Sequence, residues 1–344
     1  MTLLYVLLAI LVFGLLIMIH ELGHFLVARA CGVGIHEYSI GMGPKLISKK
    51  SEKTGTEYSL RALPIGGYVS MVGEDEESDS PEAFGNKPVW QRILIVLAGP
   101  FMNVLLGFLL MSILVISTPQ LASTTIGAFN EDATSPSYGL QVGDTVTHVN
   151  GVRVHTGNEL VYEILNDGYK PIDLTVIRGG EKTEINDVIF PGITAEGIHF
   201  GSADFRVFAE EKSFGNVIKH GFFRSVSTVK MIFDQLGDMI GGRYGMNAVS
   251  GPVGVTEEMV NAAKSGAQNF LYLVIVITVN LGVFNLLPIP ALDGGRLLFL
   301  LVEAVTRKPV NKNIEGYIHF AGLMLLLLLT AFIFCKDITG LFVK

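Results

Sequence analysis

Residues 3–28 read LLYVLLAILVFGLLIMIHELGHFLVA, and two features of this stretch decide the fold. It is uncharged through Ile19 and long enough to cross a hydrocarbon core of roughly 30 Å, which takes about 20 apolar residues as a helix. Near its end stand His20, Glu21 and His24, three ionisable groups where a central charge costs about 2.5–3.5 kcal/mol even on lenient insertion scales. Something must compensate. On a helix, H-E-x-x-H spacing puts both imidazoles on one face, able to share one Zn²⁺ with Glu21 near its open position.

Working outward, three further apolar runs qualify as spans: Ile93 to Thr118, Phe270 to Leu292 and Tyr317 to Cys335. The chain has 344 residues, 49% hydrophobic and 17% charged, with mean hydropathy +0.48, and its apolar residues come in blocks. That is an integral membrane protein, with the lipid bilayer as its first partner. The net charge of −7 and the absence of a Lys/Arg tract exclude a nucleic-acid partner. Cys31 and Cys335 lie at opposite ends of the chain, so no disulfide framework or Cys-based metal site is readable. A cleaved signal peptide is set aside because no Lys or Arg precedes the first run, the run is too long, and Arg29 stands where a small residue is wanted.

Orientation follows from the basic residues near span ends. Residues 29–92 carry eight, the loop after the third run carries Arg296, Arg307, Lys308 and Lys312, and the first 28 residues carry none. Both loops are therefore expected in the cytoplasm, and the long middle region and both termini outside. About 17 apolar residues precede His20, roughly 26 Å of helix, which puts the metal toward the cytoplasmic side.

A catalytic zinc usually takes three protein ligands. The best third candidate is Asp293, in Asn285-Leu286-Leu287-Pro288-Ile289-Pro290-Ala291-Leu292-Asp293-Gly294-Gly295, with Glu303 as substitute. Two prolines two residues apart cannot continue a helix, and broken backbone at membrane depth belongs where it is buried in protein or lines a wet cavity. The alternative is that Asp293 merely caps a helix from about Arg296 to Val305.

These motifs together resemble the site-2 proteases, of the bacterial regulator-of-sigma-E protease type. The resemblance covers nearly the whole chain and rests on His20-Glu21-x-x-His24, Asn285-x-x-Pro288-x-Pro290-x-x-Asp293-Gly294, and Gly99-Pro100-x-x-Asn103. It implies that His20, His24 and Asp293 hold Zn²⁺, that Glu21 is the base, and that Asn285 and Pro288 help hold an unwound substrate. It further implies a bacterial cytoplasmic-membrane endopeptidase cutting transmembrane segments of single-pass proteins such as anti-sigma factors and remnant signal peptides. Two other classes are weighed: a catalytically idle membrane scaffold, against which an intact Glu21 argues, and a metal transporter, which would show more than one polar span.

The expected fold is a four-helix membrane protease core with a cytoplasmic-side β region and an extracytoplasmic PDZ-like domain. Its parts are 1–29 (first span), 30–91 (β region), 92–118 (second span), 122–204 (PDZ), 205–269 (amphipathic helical linker), 270–295 (third span), 296–316 (cytoplasmic helix and loop) and 317–336 (fourth span). Short strands are expected at Glu37–Ser39, Glu57–Ser59 and Tyr68–Val72, where an exposed edge could take a substrate by strand addition. Glu74 to Ser80 reads as a solvated acidic loop. Tyr138-Gly139-Leu140-Gln141-Val142-Gly143-Asp144 with Asn150-Gly151 looks like a PDZ signature; only one such domain fits, as in the Gram-positive branch of the family. Phe214 to Gly237 has helical apolar spacing that suits either the outer membrane surface or packing against that domain. Ser250-Gly251-Pro252-Val253-Gly254 also resembles the family, with no physical role evident from sequence.

Overall fold

The computed structural model describes residues 2–343 other than 75, 77, 196, 244 and 246–248. The chain divides into two units, Met1–Gly107 with Val249–Lys344, and Phe108–Ala248.

The first unit holds α1 (Thr2–Ala30), β1 (Ile35–Lys50), β2 (Glu57–Met71), most of α2 (Val89–Ser117), α5 (Pro252–Ser265), α6 (Ala267–Leu286), α7 (Asp293–Thr306) and α8 (Lys312–Val343). Four helices among the described residues are long and apolar enough to cross a membrane, at Leu4–Ala30, Val89–Ser117, Ala267–Leu286 and Lys312–Thr339. The third expected span is corrected: its helix ends at Leu286, not Leu292, because Leu287 is already extended (ψ 144°) ahead of Pro288. A residue before proline is pushed out of the α region. Helices α1 and α2 meet closely at Gly23, where a Cβ would lie 2.3 Å from the Ala98 carbonyl oxygen.

The β region also departs from expectation. In place of three short strands, β1 and β2 are long and bent, so that Glu37 to Ile40 pair on one side with Gly67 to Ser70 and on the other with Glu57 to Leu60. Glycines at positive φ, Gly41, Gly43 and Gly66, make the bends. Glu37 anchors the sheet: it accepts hydrogen bonds from Ser59 Oγ at 2.5 Å and Arg61 Nη2 at 2.9 Å, with Lys45 Nζ 3.3 Å away. Glu74 is not merely solvated, since it accepts from Arg296 and from the Met71 amide; Asp75 and Glu77 of that loop lie outside the described residues. The Ser250–Gly254 stretch acquires a role as the start of α5, where the Gly254 amide donates to Asp337 of α8 at 2.9 Å. A carboxylate at a helix N-terminus satisfies orphan amides and favours the dipole.

The second unit is mainly β: β3 (Leu121–Phe129), β4 (Thr145–Val149), β5 (Val152–Arg153), β6 (Ile172–Arg178), β7 (Glu181–Val188), β8 (Gly192–Ala195), β9 (Ile198–Gly201) and β10 (Phe205–Glu210), with α3 (Gly157–Asp167) and α4 (Phe214–Ile240). The main sheet runs β10-β3-β4-β6-β7 with β5 on β4, and β8 pairs with β9. Its core includes Ile126, Leu140, Val146, Leu160, Ile164, Leu174, Val176 and Phe190. Residues 205–210, expected in a helical linker, instead form the edge strand that supplies hydrogen-bond partners to β3. Thr156 and Glu159 cap α3 reciprocally, a box worth about 1 kcal/mol at the cap residue alone. Helix α4 packs its charged side on α3, with Lys230 Nζ 2.9 Å from Glu163 and Tyr162 Oη donating to Asp234 at 2.9 Å. Its stripe of Ile218, Phe222, Val226 and Phe233 stays exposed.

Candidate metal centre

The period of α1 brings His20 and His24 one turn apart on one face, both buried, with their Nε2 atoms 3.2 Å apart. Asp293 arrives from 269 residues along the chain. Because α6 stops at Leu286 and α7 starts at Asp293, the carboxylate stands in the first turn of a helix, where the dipole favours a negative charge. Its Oδ2 lies 3.0 Å from His20 Nε2 and 3.3 Å from His24 Nε2. Asp293 is thus both the first residue of α7 and a member of the cluster. The three ligand atoms lie within 4.8 Å of one another.

The chemistry of this donor set fits zinc. Two imidazole nitrogens and a carboxylate oxygen are a known catalytic set, and Asp293 Oδ2 is buried without a hydrogen-bond partner. Three electron-pair donors turned on one point repel one another unless a cation or proton joins them.

Each imidazole is oriented from behind. His24 Nδ1 donates to the Ile95 carbonyl at 2.8 Å, which leaves Nε2 as the electron-pair donor. Pro100, inside α2, gives no donor to the Val96 carbonyl, the neighbour of Ile95. His20 Nδ1 lies 3.2 Å from the side-chain amide of Asn103, which is fully buried. Asn103 Oδ1 has no partner as oriented, and turning the amide over gives His20 Nδ1–H its acceptor. Gly99 completes the fit: a Cβ there would lie 2.2 Å from His24 Nε2.

Glu21 shares the turn with both imidazoles and meets the backbone of Val69 in β2. Tyr38 hydrogen-bonds the Met18 carbonyl at 3.2 Å, and burial, then the Glu21 charge, push its phenol up to about 12, so it remains a proton donor. Asn285 donates an amide N–H to the Leu281 carbonyl at 2.9 Å, and Pro288 is exposed in the bend beyond α6, where the Ile289 amide donates to the Leu287 carbonyl at 2.6 Å. Glu303 is no substitute ligand, because it forms an ion pair with Arg92, 2.5 Å from Nη2. Sequence reasoning quoted Gly99 and Asn103 without a role and missed Tyr38 and Ile95; a glycine and a buried amide on a neighbouring span were the available signal for the first two.

Residues 8–329 match peptidase family M50. The chain is 34% identical to a protein of Clostridium acetobutylicum named as a zinc metalloprotease, over 97% of each chain. It is 34% identical to a similarly named protein of Fusobacterium nucleatum, over 98% of this chain and 99% of that one. To the regulator of sigma-W protease RasP of Bacillus subtilis it is 29% identical, over 97% of this chain and 98% of that one.

Proposed function

The chain belongs to peptidase family M50 and is a membrane zinc metalloprotease; from that premise we propose that His20, His24 and Asp293 hold the zinc, that Glu21 is the general base, and that the bond cut lies inside a transmembrane segment. The observation that carries this reading is the convergence of the three ligand atoms beside Glu21 on a helix otherwise apolar enough to span a membrane.

Zinc, when held there, supplies the Lewis acidity that brings the pKa of water to about 7. Glu21 takes that water's proton and later returns it to the leaving amine. A substrate helix hides its carbonyls in its own hydrogen bonds and must open before attack, which apolar surroundings make costly unless replacement partners are offered. With one amide N–H on the Leu281 carbonyl, Asn285 keeps its second N–H and its carbonyl oxygen for freed substrate backbone groups. Pro288 keeps the helix from continuing and holds the bend beside it. The Gly67–Met71 part of β2, whose Val69 reaches Glu21, offers an edge for strand addition by an unwound substrate.

The substrates we propose are single-pass membrane proteins, of the anti-sigma-factor or remnant-signal-peptide kind, in a bacterial cytoplasmic membrane. The 29%-identical relative carries regulation of sigma-W in its name, which supports the first of these. The basic loops face the cytoplasm, and the long region after the second span and both termini lie outside. Residues 122–204 are read as a PDZ-like domain that selects among substrates.

Substrate trapping with Glu21→Gln in the native membrane, read by mass spectrometry of retained helices, tests the proposal. Single-pass proteins accumulating on the variant are expected. An empty trap on a fully zinc-loaded variant refutes the protease reading in favour of a scaffold.

A further inference from the structure

We infer that His319 is a positioning residue for this centre: from α8 it fixes the backbone turn at Ala291 that delivers Asp293 to the two imidazoles, an inference that rests on the reading of Asp293 as a ligand.

Ala291 has φ +75°. L-residues avoid this left-handed region because Cβ crowds the following carbonyl, and alanine has no polar side chain to compensate as Asn or Asp do. Such a conformation persists only where the surroundings over-determine it. One determinant is visible in the chain itself, the turn that the Leu292 amide closes on the Ile289 carbonyl at 3.2 Å, with Pro290 at its second position and positive φ required at its third. The other comes from α8. His319 Nδ1 accepts the Ala291 amide N–H at 2.9 Å. That amide lies between the end of α6 and the start of α7, where no helical carbonyl serves it, and an unmet amide at membrane depth is expensive.

The geometry around His319 is built for this acceptor role. To accept at Nδ1, a neutral imidazole must carry its proton on Nε2, and the Glu315 carboxylate one turn earlier stands 4.0 Å from Nε2. Phe299 of α7 tilts against the ring at a centroid distance of 5.6 Å. One turn beyond His319, Gly322 lets α8 press on the same segment: a Cβ there would lie 2.3 Å from Pro290 Cβ and 2.8 Å from its carbonyl oxygen. Most of α8 is exposed; His319 and Gly322 mark one docking point, on the Pro290–Ala291 segment, as Asp337 marks another at the start of α5. Metal–ligand distances tolerate only about ±0.2 Å. Relaxation of Ala291 toward ordinary φ would therefore carry Asp293, two residues on, out of reach while leaving His20, His24 and Glu21 in place.

The test is zinc affinity of the purified full-length chain, by competition with a chromophoric chelator, alongside the melting temperature of the zinc-free protein. His319→Leu is expected to lose about ten- to a hundredfold in affinity, the usual cost of removing an outer-shell partner. His319→Asn, whose Oδ1 falls near the Nδ1 position, should stay close to wild type, whereas His319→Gln, whose oxygen falls near Nε2, should not. Adding Ala291→Gly to His319→Leu should recover part of the loss, because glycine enters the left-handed region freely. Wild-type affinity in His319→Leu, or equal losses in the Asn and Gln variants, overturns the inference; if the Leu variant does not accumulate, the Asn and Gln pair decides. A wild type without zinc affinity, or unchanged affinity in Asp293→Ala, overturns instead the ligand assignment beneath it.

Discussion

Gly99→Ala sets two physical effects against each other. Alanine is favoured over glycine inside a helix by about 0.8–1.0 kcal/mol, so on propensity alone the substitution should strengthen α2. The new methyl, however, would lie 2.2, 2.6 and 2.8 Å from Nε2, Cε1 and Cδ2 of His24. Ordinary carbon contacts sit at about 3.5–4.0 Å, so the ring must retreat by about 1 Å or more. The atoms in the way belong to the end of a side chain, which can swing aside without unfolding the helices. What leaves with the ring is a proposed ligand. If a zinc site is worth about 10–16 kcal/mol over four ligands, one ligand is worth about 2.5–4, and zinc affinity should fall by about two to three powers of ten at 1.4 kcal/mol per decade. The expected variant is folded, melts within a few degrees of wild type without zinc, and binds zinc weakly. Gly316→Ala, where a Cβ meets nothing within 4 Å, controls for helix propensity and should leave zinc binding alone. Tight zinc binding by Gly99→Ala would show that the approach of α2 to His24 is not what shapes the site.

Elemental analysis should separate the base from the ligands, with Glu21→Gln retaining zinc yet cutting nothing, and His20→Ala, His24→Ala and Asp293→Ala each losing it; full zinc in Asp293→Ala would send the search for a third ligand elsewhere. In intact cells lacking Cys31 and Cys335, an impermeant thiol reagent should label Ser137→Cys and spare Ser51→Cys, and the reverse pattern inverts the topology. Burial alone would raise the Glu37 pKa, but bonds from Ser59, Tyr68, Arg61 and Lys45 outweigh it and hold the group at about 2, below its ordinary 4.5. A depressed folded-state pKa stabilises above the unfolded value and fades as pH falls toward the folded one, so the β region should loosen between about pH 4.5 and 2, and Glu37→Gln should flatten that loss in a pH series of melting temperatures.

The spans and the proposed ligand cluster were legible because each rests on a residue type that few others can replace. Runs of Leu, Ile, Val and Phe cannot be accommodated in water at that length, and zinc accepts only a handful of donors, so His20, His24 and Asp293 stood out although 269 residues separate the last two. The early end of α6 was half legible: Pro288 and Pro290 forbade a helix there, but that α6 stops at Leu286 and that α7 starts at Asp293 itself, rather than near Arg296, came only with the structure. The second unit was harder at its end, since Phe205 to Glu210 has no strong alternation and becomes a strand only because β3 needs a neighbour. Long-range pairing overrides weak local preference in such edge strands.

The support around the metal was not legible, and the reason is chemical. What orients His24 is the Ile95 carbonyl, a group every residue possesses; what lets α2 approach is the missing Cβ of Gly99, one of 39 glycines in the chain; what holds the turn before Asp293 is an imidazole on α8 with no neighbouring donor pattern to mark it. A ligand is recognisable by what it is. An orienting group is recognisable only by where it is, and position across three packed spans is carried by the whole chain rather than by any motif within it. It follows that variants altering these supports should keep every catalytic residue, and fail in zinc affinity before they fail in folding.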